Sequence, residues 1–428
     1  MPSTQRYLSV TESLIGALGA LGARPVVAGL TVDGVIEPTI LSHALTTLAA
    51  RYSLLRGQIV RDDTGFLLRI IKDQTATLTV HRSAEDAFLA EINTPLRLDH
   101  QVVRAVLSRD GTNSTITLAI DHSVADGRLI TTLLNELMGN YTTLAAGNTP
   151  RPTPPDDLPP SLDTRLAGRF SDEEIATFIT QTVALAEHSP PATLPSLAAA
   201  SGNTAPSDFA VRNIAFTAQA TTDILITATK NGLSAHGLIS GAILAALRAR
   251  WEPATEPITL AVTSAVDLRH RLIPPVAPDA QLCCIGVVSV FVATPHPADP
   301  LALGRQITTR VHTAIDHGDP QKWILAMNHL NAVPMPSASV GITNLGRLAT
   351  PPTPSGIQVT ASRVMRAYPG SIPLIIVNTT GGRLTLDLGY NRSFLTDQQM
   401  TDLADDIEST LGSCHREVGS VGPAPTGR

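Results

Sequence analysis

Residues 114–120, Ser-Thr-Ile-Thr-Leu-Ala-Ile, alternate polar and apolar side chains, the period-two pattern of a half-buried strand. At Gly127 the period changes. Leu129, Ile130, Leu133, Leu134, Leu137 and Met138 recur at helical spacing, so a strand passes through a short turn into an amphipathic helix. Similar changes of period precede it: 25–32 reads as a strand, 36–52 as a helix, and 66–71 and 102–107 as strands. Then Pro150, Pro152, Pro154, Pro155, Pro159 and Pro160 crowd together. Proline lacks an amide donor, which excludes a helix interior or a central strand and predicts a stiff linker.

The second half restarts with Ser171-Asp172-Glu173-Glu174, a capping box opening a helix to about residue 187. A loop rich in Pro, Ala and Ser at 189–208 precedes a strand at 211–217. Ser234 is placed to cap a helix whose apolar face is Leu238, Ile239, Ile243, Leu244 and Leu247. Strands at 258–262 and 282–292, a helix at 301–317 and a turn at Thr343 follow. Apolar runs at 374–378 and 384–388 flank Thr380-Gly381-Gly382, a hairpin signal. Thr396 with Gln399 caps a last helix, and 419–428 reads as a flexible tail. The expected fold is α/β with mixed sheets: a first unit at 1–148, a linker at 149–165 and a second unit at 166–418. No repeat of 20 to 50 residues is visible.

The strand-to-helix turn carries the chemistry. Its sequence, Asp121-His122-Ser123-Val124-Ala125-Asp126-Gly127, puts an imidazole at a strand end, four residues before a carboxylate followed by glycine. Catalytic groups are often carried on such turns, and imidazole is suited to general base chemistry near neutral pH. A core histidine satisfied by Asp126 fits the same pattern.

Two segments weigh on that choice. Asp121 to Gly127 resembles the HHxxxDG motif of the condensation-domain, chloramphenicol acetyltransferase-like and plant BAHD acyltransferase superfamily. Val266-Asp267-Leu268-Arg269, followed by Leu272-Ile273-Pro274-Pro275-Val276-Ala277-Pro278, resembles the second signature of its polyketide-associated (Pap-type) acyltransferases. The likeness runs over almost the whole chain, through Leu8-Ser9-Val10-Thr11-Glu12, Leu96-Arg97-Leu98-Asp99 and Gly389-Tyr390-Asn391. One departure stands out. Asp121 replaces the first histidine of the motif, while the second, His122, is retained.

The resemblance implies two chloramphenicol-acetyltransferase-like subdomains with an active-site tunnel between them. It implies an O-acyltransferase that moves an acyl group from a thioester, acyl-CoA or acyl carrier protein, to a hydroxyl of a polyketide, lipid or other natural product. His122 is then the general base in direct transfer. Asp126 becomes structural, paired with Arg269 and supported by Gly127, because an unpaired buried charge is costly. Asp121 marks a change in pocket polarity. Ile342-Thr343-Asn344-Leu345-Gly346 resembles the SNLG stretch of related alcohol acyltransferases, which makes Thr343 and Asn344 candidate oxyanion or substrate contacts. The same residues read equally as a strand end and an Asn-Leu-Gly turn. Amide-forming condensation of carrier-bound substrates, and a catalytically silent carrier-docking module, are the competing functions.

Composition changes this picture little. Hydrophobic residues make up 43% and charged residues 16% of 428, as in a soluble globular protein, and length favours more than one domain. The net charge of -6 gives no reason to expect nucleic acid, and no basic run suggests a membrane surface. Cys283, Cys284 and Cys414 offer neither a disulfide framework nor metal spacing, which fits reduced cytoplasmic thiols. The run 14–23 imitates a signal-peptide core, but Glu12 precedes it and Arg6 is the only side-chain cation before it. No stretch reaches the ~18 to 20 apolar residues of a membrane span. A monomer is expected, with no resident metal or cofactor beyond the thioester co-substrate. Gly232-Leu233-Ser234-Ala235-His236-Gly237 lacks nucleophile-elbow spacing and reads as a helix start.

Overall fold

The computed structural model describes residues 4–14, 25–82, 86–151, 154, 157–197, 208–251, 256–332 and 338–418. Fourteen strands among them form three sheets. The first large sheet has the order β12-β2-β7-β6-β5, built from Gln358–Arg366, Val26–Asp33, Asn113–Ile120, Val103–Asp110 and Leu78–Arg82. The second has the order β10-β9-β11-β13-β14-β8, built from Ile285–Thr294, Ile258–Asp267, Val340–Leu348, Leu374–Thr380, Arg383–Asn391 and Phe209–Ala215. A small sheet joins β1 (Gln5–Tyr7), β4 (Phe66–Ile70) and β3 (Gly57–Arg61). Each large sheet buries one apolar core under helices, so the chain has two sheet-bearing α/β subdomains.

The sheets do not divide at the proline-rich segment. β12, from far beyond it, pairs antiparallel with β2, placing Arg366 opposite Val26. β11 passes between the two cores. Its Val340 and Ile342 lie in the second core and its Leu345 and Leu348 in the first, with a register shift between Asn344 and Gly346. Gly346 adopts φ 69, a conformation that costs other residues more. The predicted turn at Thr343 is therefore a strand interrupted by a bulge.

Local chemistry explains most elements. Ser171 and Glu174 make the capping box at the helix Asp172–His188, and Ser234 accepts from the Gly237 amide at the helix Ala235–Arg248. Gly381 and Gly382, both at positive φ, close the β13–β14 hairpin as a two-residue primed turn requires. The predicted strand at 282–292 begins only at Ile285. Leu282 and Cys284 instead give a carbonyl and an amide to the Arg269–Asp126 pair described below. The helices Ala87–Asn93, Leu162–Leu166, Ala218–Lys230 and Asp319–Ala326, and strands β1, β3, β5 and β12, were not expected from the pattern. The flexible tail and most of the signal-like run lie outside the described residues.

The helices Ala235–Arg248 and Pro300–Asp316 approach closely through glycines. An ideal Cβ on Gly241 falls 2.2 Å from the Pro300 carbonyl oxygen and 2.7 Å from the Gly304 amide nitrogen. Alanine normally favours a helix interior over glycine by about 1 kcal/mol. Here backbone atoms that cannot rotate away reverse the sign. Gly241→Ala is expected to destabilise the protein by about 2 kcal/mol, as overpacking does, read as a lower midpoint in urea denaturation.

Candidate active site

β7 ends at Ile120, and the helix Gly127–Ala145 begins seven residues later. Asp126 is its N-cap, and Oδ1 accepts the Arg128 and Leu129 amides at 3.1 and 2.9 Å. The same carboxylate meets Arg269 in a two-pronged pair: Nη1 to Oδ2 at 2.9 Å and Nη2 to Oδ1 at 3.1 Å. The Cys284 amide donates to Oδ2 at 2.8 Å. Both charged side chains are 1% exposed. Burial by itself pushes the Asp126 carboxyl up, but Arg269 and these amides outweigh it and hold the group below the ordinary aspartate range. Arg269 is raised in turn, with Asp126 overcoming its desolvation. It also donates to Asp267 Oδ1 at 3.2 Å and the Leu282 carbonyl at 3.2 Å.

This pair ties the two subdomains together beneath the turn. It also saturates Asp126, which has no hydrogen bond to His122. His122 is half-buried, and its Nδ1 lies 2.8 Å from the Ala125 carbonyl oxygen. A carbonyl can only accept, so Nδ1 carries the proton and Nε2 keeps its lone pair. Among the described residues Nε2 has no hydrogen-bond partner. Desolvation, aided by the nearby Arg366 guanidinium, lowers the imidazole to about 4, against smaller upward pulls from Ala125 and Asp126.

Asp121 is buried and bonded to its own turn: Oδ1 accepts the Ser123 amide at 3.0 Å and the Ser123 hydroxyl at 2.5 Å. Burial pushes its carboxyl up, opposed by Ser123 and by Arg366. Gly127 opens the helix beneath Leu345 of β11, whose Cδ2 would sit 3.0 Å from an added Cβ. Thr343 and Asn344 make no hydrogen bond to this cluster among the described residues; Asn344 Oδ1 accepts the Gly346 amide at 2.9 Å and so holds the bulge.

Two neighbours escaped the sequence reading. Cys283 Sγ stands 3.9 Å from His122 Nδ1, and burial pushes its thiol well above the usual range. Arg366, at the end of β12, acts electrostatically on His122, Asp121 and Cys283. An adjacent-cysteine pair in an apolar run was the only signal for the first; nothing local signalled the second. The Ser234 and His236 segment is a capped helix start, with His236 Nε2 2.8 Å from Ser264 Oγ. A groove of about 560 Å³ lined by Ala245, His296, Asp299 and Asp406 contains no residue of the cluster. No group of three or more metal-binding side chains occurs among the described residues.

Residues 205–389 match the family described as the phthiocerol/phthiodiolone dimycocerosyl transferase C-terminus. The match covers less than half of the chain. The phthiocerol/phthiodiolone dimycocerosyl transferase of Mycobacterium sp. (strain JLS) is 24% identical over 364 residues, 83% of this chain and 86% of the relative. That of Mycobacterium tuberculosis (strain ATCC 25618 / H37Rv) is 24% identical over 298 residues, 68% and 69%. The fold resembles polyketide synthase associated protein 5 from Mycobacterium tuberculosis, with TM-score 0.74, 20% identity and coverage of 97% and 99%. A trichothecene 15-O-acetyltransferase from Fusarium sporotrichioides gives 0.74 at 13% identity over 96% and 95%. The first condensation domain of the CDA synthetase gives 0.72 at 15% over 97% of both chains. The fold of the chain is thus that of condensation and chloramphenicol acetyltransferase-like domains. No helix among its described residues is long and apolar enough to cross a membrane.

Proposed function

We propose that the protein is an O-acyltransferase, moving an acyl group from acyl-CoA or an acyl carrier protein to a hydroxyl of a polyketide, lipid or other natural product. The observation that carries this reading is the unshared Nε2 of His122, left free by the Nδ1 contact to Ala125. His122 takes the hydroxyl proton as oxygen attacks the thioester carbonyl. The imidazolium then gives that proton to the departing thiolate, so no acyl-enzyme is needed. Asp126 and Arg269 hold the turn in place and exchange no proton with the substrate.

The similarity supports acyl transfer, since the relatives are named as phthiocerol/phthiodiolone dimycocerosyl transferases. The test is product mass spectrometry after incubation with a panel of acyl thioesters and both alcohol and amine acceptors. Ester products are expected. Amide products alone would assign the chain to condensation chemistry, and the absence of both would favour a docking role.

A depressed imidazole also predicts the pH profile. His122 is the active base only when neutral, and a value of about 4 keeps it neutral from pH 5 upward. kcat/KM is expected to stay level down to about pH 5 and to fall below it, instead of falling through the usual 6.5. Initial rates in constant-ionic-strength buffers decide between the two.

A further inference from the structure

Strand β12 carries two arginines in opposite circumstances. Arg363 is neutralised: its Nε meets Asp387 Oδ1 at 3.1 Å, its Nη1 meets Asp86 Oδ2 at 3.3 Å, and its guanidinium lies 4.4 Å from the Phe88 ring centroid. Arg366 has no hydrogen bond or ion pair to its guanidinium among the described residues, and its Nε is buried without a partner. A cation partly withdrawn from water without a partner is costly, which points to a ligand.

Its position identifies the ligand's place. Side chains alternate along a strand, so Arg366 shares a face with Val364 and not with Met365. Met365 lies against Gly389 of β14, whereas Val364 Cγ1 comes within 3.8 Å of a Cβ built on Gly127. The face bearing Arg366 therefore fronts the start of the motif helix. In register, Arg366 pairs with Val26, and Val26 pairs with Ile120, immediately before Asp121 and His122. Among the described residues the titratable groups around His122 are then Arg366, Asp126 with Arg269 behind it, Asp121, and the neutral thiol of Cys283. Asp126 is saturated by Arg269, and Asp121 Oδ1 by Ser123, so Arg366 is the charged member of this cluster without a bonding partner among the described residues.

We propose that Arg366 is a catalytic anion-binding residue of the His122 site, holding the acyl oxygen that becomes negative when a hydroxyl adds to the thioester carbonyl. This rests on the acyl-transfer reading. As the O–C bond forms, the hydroxyl proton passes to His122 Nε2 and the carbonyl π pair moves onto the oxygen facing Arg366. When that pair returns, the C–S bond breaks and the thiolate takes the proton back from His122. A guanidinium already on that face and partly withdrawn from water needs little reorganisation as the charge develops. That is the role for which Thr343 and Asn344 were the candidates; Asn344 Oδ1 is taken by the Gly346 amide.

The test has one arm that needs no turnover. Octanoate and octanamide are titrated by calorimetry into wild type, Arg366→Gln and Arg366→Lys, with folding checked by circular dichroism. Octanoate is expected to bind wild type at least tenfold more tightly than octanamide, the preference to vanish in Arg366→Gln and to persist in part in Arg366→Lys. Equal binding, no binding, or a preference that survives Arg366→Gln would overturn the proposal. In the second arm, Arg366→Gln is expected to lower kcat at least 100-fold while KM moves less than threefold, and to raise the acid limb of the pH profile. A kcat within threefold of wild type, or a loss confined to KM, would count against it. If wild type transfers no acyl group, the functional reading falls while the calorimetry still decides whether Arg366 binds an anion.

Discussion

Asp126→Asn is expected to destabilise the protein by about 3 to 5 kcal/mol, the range for breaking a buried ion pair from one side. The substitution keeps the size of the side chain and, through Oδ1, the acceptor that caps the motif helix. Only the second oxygen is lost. At Oδ2 the Cys284 amide arrives at 2.8 Å and Arg269 Nη1 at 2.9 Å, both donors, so an amide NH2 there faces two N–H groups. Turning the amide over only moves the conflict to the helix cap. Arg269 meanwhile keeps Asp267 at 3.2 Å, which Arg128 Nε already shares at 3.0 Å. Urea denaturation of Asp126→Asn, Arg269→Met and the double variant separates the causes. The double variant should be more stable than Asp126→Asn, because it removes the stranded cation. A single-variant loss below about 1 kcal/mol, the value of an exposed pair, would show that the bridge does not hold the subdomains together.

The Asp126–Arg269 contact also shows where sequence reasoning reaches and where it stops. Strand β7 and the motif helix are legible because their patterns are local: period two up to Ile120, then period 3.6 from Gly127. Arg269 was reachable only through a resemblance, since nothing in periodicity pairs residues 143 apart. β12 shows the limit. It sits at the edge of the first sheet although more than 300 residues separate it from β2, and a strand's partner is not written in its own alternation. Arg366 shares that difficulty. Read along the chain it is an arginine at a strand end, and only the β12–β2–β7 register brings it beside His122. The shortened β10 has a related cause, because the backbone at Leu282 and Cys284 bonds to side chains of the buried pair before the strand begins. Thr343 and Asn344 were named from a motif's letters, and the bulge that engages Asn344 Oδ1 with the Gly346 amide is not written in them.

His122→Ala is expected to lower kcat by about 1,000-fold, within the span attributed to a positioned general base, with stability changed far less than in Asp126→Asn. The asymmetry follows from their bonds. His122 gives up one hydrogen bond, to Ala125, while Asp126 anchors a helix cap, an arginine and a distant amide. The nearby Cys283 sharpens the experiment, because a cysteine 3.9 Å from a histidine suggests a ping-pong route through an acyl-thioester. That route needs a thiolate. Burial disfavours one, and the nitrogen facing Sγ is Nδ1, whose proton is engaged by Ala125, so His122 cannot deprotonate the thiol from there. Cys283→Ala should accordingly retain activity within a few-fold of wild type, and a rapid mix with acyl donor alone should give no burst of released thiol. A burst that disappears in Cys283→Ala would transfer the nucleophilic role to the cysteine. Direct transfer requires the opposite result: activity that fails without the imidazole and persists without the thiol.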